Sequence, residues 1–88
     1  MTNVIEEQAL RELVPVGAVF EHYKGKQYKV LSVGRHSEDL ELHVVYQGLY
    51  DDETFGHHPI WIRPLRMFLE TVTIDGREVP RFALCGKL

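Results

Sequence analysis

The sequence predicts a mainly β fold: a small, partly open barrel of about five antiparallel strands, with a short N-terminal α-helix and a helical turn after Arg63. Three observations carry this. From Gly17 onward, short strand-like runs alternate with turn residues and no full helix intervenes. Asp75-Gly76, between TVTI and REVPRF, is the strongest hairpin signal, because that dipeptide tolerates the positive φ of a type I′ turn. At 88 residues the chain is too short for two packed sheets, so bending one sheet is the economical way to enclose a core.

The first segment, TNVIEEQALRELVP, reads as a short helix. Asn3 followed by Glu6 fits a capping box, and Val4 or Ile5, Leu10, Leu13 and Val14 are spaced for one apolar stripe. Pro15 and Gly17 stop it. Such a helix is too short to stand alone in water, so it must dock on the body or on a partner. The organisation is a helix over residues 1–15, a Val14-Pro15-Val16-Gly17 joint, and a single small β domain over 16–88.

Within that domain Lys24-Gly25 separates AVFEHY from KQYKVLSV, and Ser37 to Asp39 separates VGRH from LELHVVYQ. Closing the second hairpin with His36 against Glu41 sets Val33 opposite Val44, Leu31 opposite Tyr46 and Arg35 opposite Leu42. One face then collects Leu31, Val33, Leu40, Leu42, Val44 and Tyr46 as a core, and the other carries Gly34, His36, Glu41 and His43. A one-residue slip would scatter the apolar set, so the register is well specified. In the last hairpin Val72 meets Val79 and Glu70 meets Arg81. Pro80 marks an edge strand, because it cannot donate a ladder hydrogen bond. In PLRMFLE, Pro64 can open a helical turn that puts Leu65, Phe68 and Leu69 on one face, with Met67 and Phe68 as plugs of the barrel.

Composition narrows the function. The formal charge is -3, and outside the acidic first fourteen residues ten acids face nine bases. So balanced a domain lacks the basic field that drives non-specific nucleic-acid binding. One cysteine, Cys85, makes no internal disulfide and favours a reducing compartment, where it reads as a small hydrophobe. No basic leader with an apolar run and no membrane span is visible, so the cytoplasm is expected and a membrane is not. A core this small gives modest stability unless the chain forms a homodimer.

The strings HYKGKQYKVLSVGRHSEDLE, VVYQGLY, WIRPLRMF and DGREVPRF, in that order, resemble the small bacterial family known as domain-of-unknown-function family 1653. The resemblance runs from about Gly17 to Phe82. It rests on His22, Tyr23, Lys24, Gly25, Arg35, His36, Ser37, Val44, Val45, Tyr46, Trp61, Arg63, Pro64, Met67, Phe68 and Pro80. It implies an SH3-like barrel and no particular activity. The longer, His-rich DDETFGHHPI, His43 and the tail ALCGKL depart from the family pattern, so it lends no function to His43, His57 or His58.

The candidate binding residues are Trp61, Arg63, His22, Tyr23, Tyr28, Arg35 and His36. On a strand, Trp61 and Arg63 share one face and Ile60 and Ile62 the other. Isoleucines facing in would turn the indole and guanidinium outward, the composition of a binding hot spot. The plainer alternative is Trp61 packed under the N-terminal helix or a loop, with Arg63 covering it. Arg35, His36, Ser37 and Glu38 sit at a hairpin end, where Arg35 can pair with Glu38 or Glu41. His36 and His43 are diagonal neighbours about 7–8 Å apart with Glu41 beside both, a set that zinc enzymes use. His57 and His58, adjacent on a strand, would point to opposite faces. In a loop they could chelate one ion, but Gly56 and Pro59 around them read as turn punctuation, and Asp51 to Glu53 read as a solvated acidic loop. No Gly-rich phosphate cradle, CxxC or nucleophile elbow is present, so no cofactor, metal or catalytic residue is expected.

The leading expectation is a non-enzymatic interaction module recognising a peptide or protein through an aromatic and Arg surface. The first alternative is single-stranded RNA, stacking on Trp61 and Tyr23 with Lys24, Lys26, Lys29 and Arg63 on phosphates. The second is a metal-dependent enzyme using His36, His43 and Glu41.

Overall fold

The computed structural model describes residues 4–87. They form a helix α1 (Val4–Glu12) and strands β1 (Ala18–His22), β2 (Gln27–Arg35), β3 (Leu42–Gly48), β4 (Asp51–Asp52), β5 (Gly56–His57) and β6 (Ile60–Pro64). A helical turn α2 (Leu65–Phe68) and strands β7 (Thr71–Ile74), β8 (Arg77–Pro80) and β9 (Phe82–Lys87) complete the chain. The fold is mainly β, with the short helix and helical turn where the sequence predicts them. The Asn3 cap lies outside the described residues. No described helix is long and apolar enough to cross a membrane.

Five strands make one antiparallel sheet in the order β6-β3-β2-β1-β9, and β4-β5 and β7-β8 are separate two-stranded ribbons. The sheet bends without closing into a barrel, since no pairing among the described residues joins its edges β6 and β9. In the β7-β8 ribbon Val72 pairs with Val79, and Asp75 and Gly76 take φ of 50° and 77°, as a type I′ turn requires. Arg81 donates its amide to the Glu70 carbonyl at 2.9 Å and pairs with the Glu70 carboxylate at 3.6 Å. Pro80 ends that ribbon, and the tail beyond it, unassigned in the sequence reading, joins β1 as β9. Cys85 lies exposed on β9, where the register with β1 slips between Val19 and Phe20.

The β2-β3 register holds near the turn, with Val33 opposite Val44 and Arg35 opposite Leu42, and then shifts. A bulge between Val30 and Ser32 brings Val30, rather than Leu31, opposite Tyr46. The extra residue reverses the side-chain parity, so Val30 is buried and Leu31 only half so. Leu40 also leaves the expected core face. It sits in the turn at φ 62°, 61% exposed.

The core gathers Val14, Ala18, Phe20, Val30, Leu42, Val44, Tyr46, Leu65, Phe68 and Phe82. Phe68 and Phe82 stack at 4.1 Å, and Phe20 meets Phe68 edge-on at 5.1 Å. Leu65 and Phe68 are the plugs, whereas Met67, on the other side of the turn, is at the surface. The N-terminal helix docks through Leu10 and Val14. Leu13 departs from that stripe, because Leu13 and Val14 close with i→i−3 bonds to Leu10 and Arg11, and the tighter turn rotates Leu13 into solvent.

Candidate functional site

The inner surface of the bent sheet opens into a cleft of about 220 Å³ lined by His22, Tyr28, Tyr46, Tyr50, Trp61, Arg63 and Phe82. Strand pairing explains the grouping. Residues directly opposite in an antiparallel pair share a face. Tyr46 faces Trp61, Val44 faces Arg63 and His22 faces Phe82, so the burial of Val44, Tyr46 and Phe82 draws their partners inward. Tyr50 enters from the segment after β3, and only a glycine admits it there. A β-carbon on Gly48 would lie 2.5 Å from Cε2 of the Tyr50 ring.

This reverses the expected phase of β6. Ile60 and Ile62 point outward, 59% and 67% exposed, while Trp61 and Arg63 point in and are half-buried. The cause is the neighbouring strand: β3 presents Val44 and Tyr46 to the core, and β6 must follow its parity. The indole is held at both ends. Its Nε1–H donates to the Tyr50 hydroxyl at 3.0 Å, and Phe55 packs on it edge-on at 5.1 Å. Trp61 and Arg63 nevertheless share one cleft with His22 and Tyr28, open on one side rather than displayed on a flat surface.

The cleft is aromatic, donor-rich and positive. The Tyr50 and Tyr28 hydroxyls are 3.2 Å apart and extend the hydrogen-bond chain from Trp61. Burial and the bond to Tyr50 raise the Tyr28 pKa, and burial raises that of Tyr46, so both phenols stay protonated. His22 is pushed the other way, first by burial and then by repulsion from Arg63, Arg81 and Lys24. Its Nδ1 accepts the Lys24 amide at 3.1 Å, which leaves the Nε2 proton of the neutral ring free to donate. Arg63 lies over the Phe82 ring at 5.6 Å, and the Lys26 ammonium stands 4.3 Å above Tyr50. Arg81 Nε is buried with no hydrogen-bond partner among the described residues.

The remaining candidates divide. Tyr23 is exposed beside the cleft, its ring 4.4 Å from that of His22. Arg35 and His36 do not line the cleft and have structural partners. Arg35 donates to the Leu40 carbonyl at 2.7 Å and pairs with Glu7 of α1, instead of Glu38 or Glu41. His36 Nδ1 accepts the Glu38 amide at 3.1 Å within its turn. The His36 and His43 rings are 5.3 Å apart, yet the Glu41 carboxylate turns to Arg66 and His43 Nδ1 meets the Glu41 carbonyl at 2.9 Å. These three do not assemble into a catalytic metal set. Tyr46 is a core residue in the sequence as in the structure, and its pairing with Trp61 makes it a cleft wall as well. Tyr50 and Phe82 carry no sequence signal that marks them as walls.

Fold and cleft together define a small mainly β domain built around an aromatic, arginine-bearing recess. The chain belongs to the family described as "Protein of unknown function (DUF1653)", whose model matches residues 18–84 and so spans every residue of the cleft. A crystal structure of a member of that family from Bordetella bronchiseptica is 38% identical, with a TM-score of 0.71 over 82% of this chain and 88% of the other. No curated protein matches the chain.

Proposed function

We propose that this domain is a non-enzymatic binding module whose cleft takes a carboxylate of a peptide or protein partner, from an acidic side chain or a chain end. The observation that supports this most is the guanidinium of Arg63 in the wall of an otherwise aromatic recess. An anion there meets Arg63 through charge-assisted hydrogen bonds, with the Nε2–H of His22 beside it. Rigid aromatic walls lose little conformational entropy on binding. A volume of about 220 Å³ falls below the roughly 300–1,000 Å³ of small-molecule and cofactor sites. It suits one side chain or one terminus. Tyr23 extends the contact surface at the rim.

Trp61 is the only tryptophan, so its emission reports on the cleft directly. Titration with a library of acidic peptides should change that emission for a subset, and Arg63→Gln should weaken those by about tenfold or more. Peptides that bind equally well to Arg63→Gln, or none that perturb Trp61, would refute the reading.

A second reading, single-stranded RNA, draws on the β1-β2 turn, where Lys24 lies 5.8 Å from the Tyr23 ring and Lys26 lies over Tyr50. Its signature is an oligonucleotide affinity that falls steeply with salt. A flat salt response excludes it.

A further inference from the structure

We propose that Asp51, His57 and His58 form a site for a divalent first-row transition ion such as zinc, nickel or copper. Each residue offers one ligand atom, and the three atoms lie within 4.8 Å of one another. Two imidazoles and a carboxylate are a donor set that these ions prefer over calcium or magnesium.

The backbone brings the ligands together in two ways. The β4-β5 ribbon pairs Asp51 with His57, which puts them side by side on one face. Consecutive strand residues ordinarily diverge, but His58 follows β5 at φ 46° and folds its ring back onto that of His57. The two rings stack 3.8 Å apart at 14°.

The site is also held from outside. The His58 amide donates to the Tyr50 carbonyl at 3.0 Å, and the Gln47 side chain reaches the His58 carbonyl at 3.4 Å. The Asp52 carboxylate accepts the amides of Thr54 and Phe55 at 2.8 and 3.0 Å, fixing the ribbon's turn. The backbone that carries the ligands is therefore fixed before an ion arrives, and the stacked imidazoles must turn so that their in-plane lone pairs converge.

The His57 Nδ1–H donates to Asp51 Oδ1 at 2.6 Å. The ion replaces that proton between them while His58 supplies the third donor. Ligands around a common zinc lie about 2.0–2.2 Å from it, so small rotations of these exposed side chains complete the geometry. About three-quarters of the Asp51 and His57 side chains is exposed, which leaves further coordination positions to water.

The test uses the untagged full chain, titrated calorimetrically with zinc chloride and nickel chloride. One ion should bind per chain. His57→Gln and His58→Asn, the latter keeping a residue tolerant of positive φ, should each weaken binding about tenfold or more. His36→Gln should leave it unchanged. Absence of saturable uptake, or uptake indifferent to His57→Gln and His58→Asn, would overturn the site. Because neither residue lines the aromatic cleft, peptide binding by these variants should persist whichever way the metal result falls.

Discussion

Arg63 and Phe82 stand on the two unpaired edges of the sheet, and the guanidinium of one lies over the ring of the other at 5.6 Å. Side chains thus join a seam that no backbone ladder crosses among the described residues. Phe82 also stacks on Phe68 and meets Tyr28 and Tyr46 edge-on at 5.6 and 5.5 Å. Phe82→Ala should cost about 3–5 kcal/mol in urea unfolding. Phe82→Leu should fall between it and the native chain, and serves if the alanine variant does not fold. A loss below about 1 kcal/mol for Phe82→Ala would mean that the seam does not depend on this ring.

Gly48→Ala tests how the cleft is assembled. The added methyl meets the Tyr50 ring, so the ring must move and Trp61 loses its hydroxyl acceptor. The expected outcome is a changed Trp61 emission maximum and lower stability by about 1–3 kcal/mol. An unchanged spectrum would mean that Tyr50 had somewhere else to go without releasing the indole.

The phase of β6 predicts a contrast between two apolar residues. Ile62 faces solvent and Val44 is fully buried. Ile62→Thr should change stability by no more than about 0.5 kcal/mol, while Val44→Ala should cost about 2 kcal/mol or more. Thermal unfolding of the two variants side by side decides it.

His22 makes the domain sensitive to acid. Its folded pKa lies below the ordinary value of 6.5, so the unfolded chain binds this proton more readily. Its contribution to stability is present in full above about pH 6.5 and declines as the pH falls towards the folded pKa. His22→Gln should remove that part of the slope between neutral and mildly acid pH. A bound carboxylate should raise the His22 pKa, readable by NMR titration of the ring, because it offsets the repulsion from Arg63.

Much of the hairpin logic was legible in the sequence. Val33 against Val44, Arg35 against Leu42 and Val72 against Val79 follow from matching apolar residues across turns whose composition marks them. Two features were not. A bulge leaves no mark in composition, so the shift from Leu31 to Val30 is visible only once the strands are paired. Alternation separates Trp61 and Arg63 from Ile60 and Ile62 but carries no sign, since the indole with the aliphatic stem of Arg63 can line an inner face as the isoleucines can. The choice is made by β3, where Tyr46 and Val44 are opposite Trp61 and Arg63. His22, Tyr28, Trp61 and Arg63 stand among the residues the sequence singles out, with Tyr23, Arg35 and His36, but the orientation that puts those four around one recess was not legible there. The juxtaposition of His57 and His58 turns on a similar choice: neighbours diverge on an extended backbone but can meet in a loop, and His58, at φ 46°, leaves the extended region.

The irregularity at Leu31 sets the orientation of Tyr28 from three positions away. Leu31 is the surplus residue, so its deletion would leave Val30 opposite Tyr46 and Tyr28 opposite Gly48. Ironing the bulge out with Leu31 in place would instead turn Tyr28 to the convex side and take a wall from the recess. Pairing here carries information that identity does not: whether the strand absorbs one surplus residue decides which way a distant aromatic ring turns.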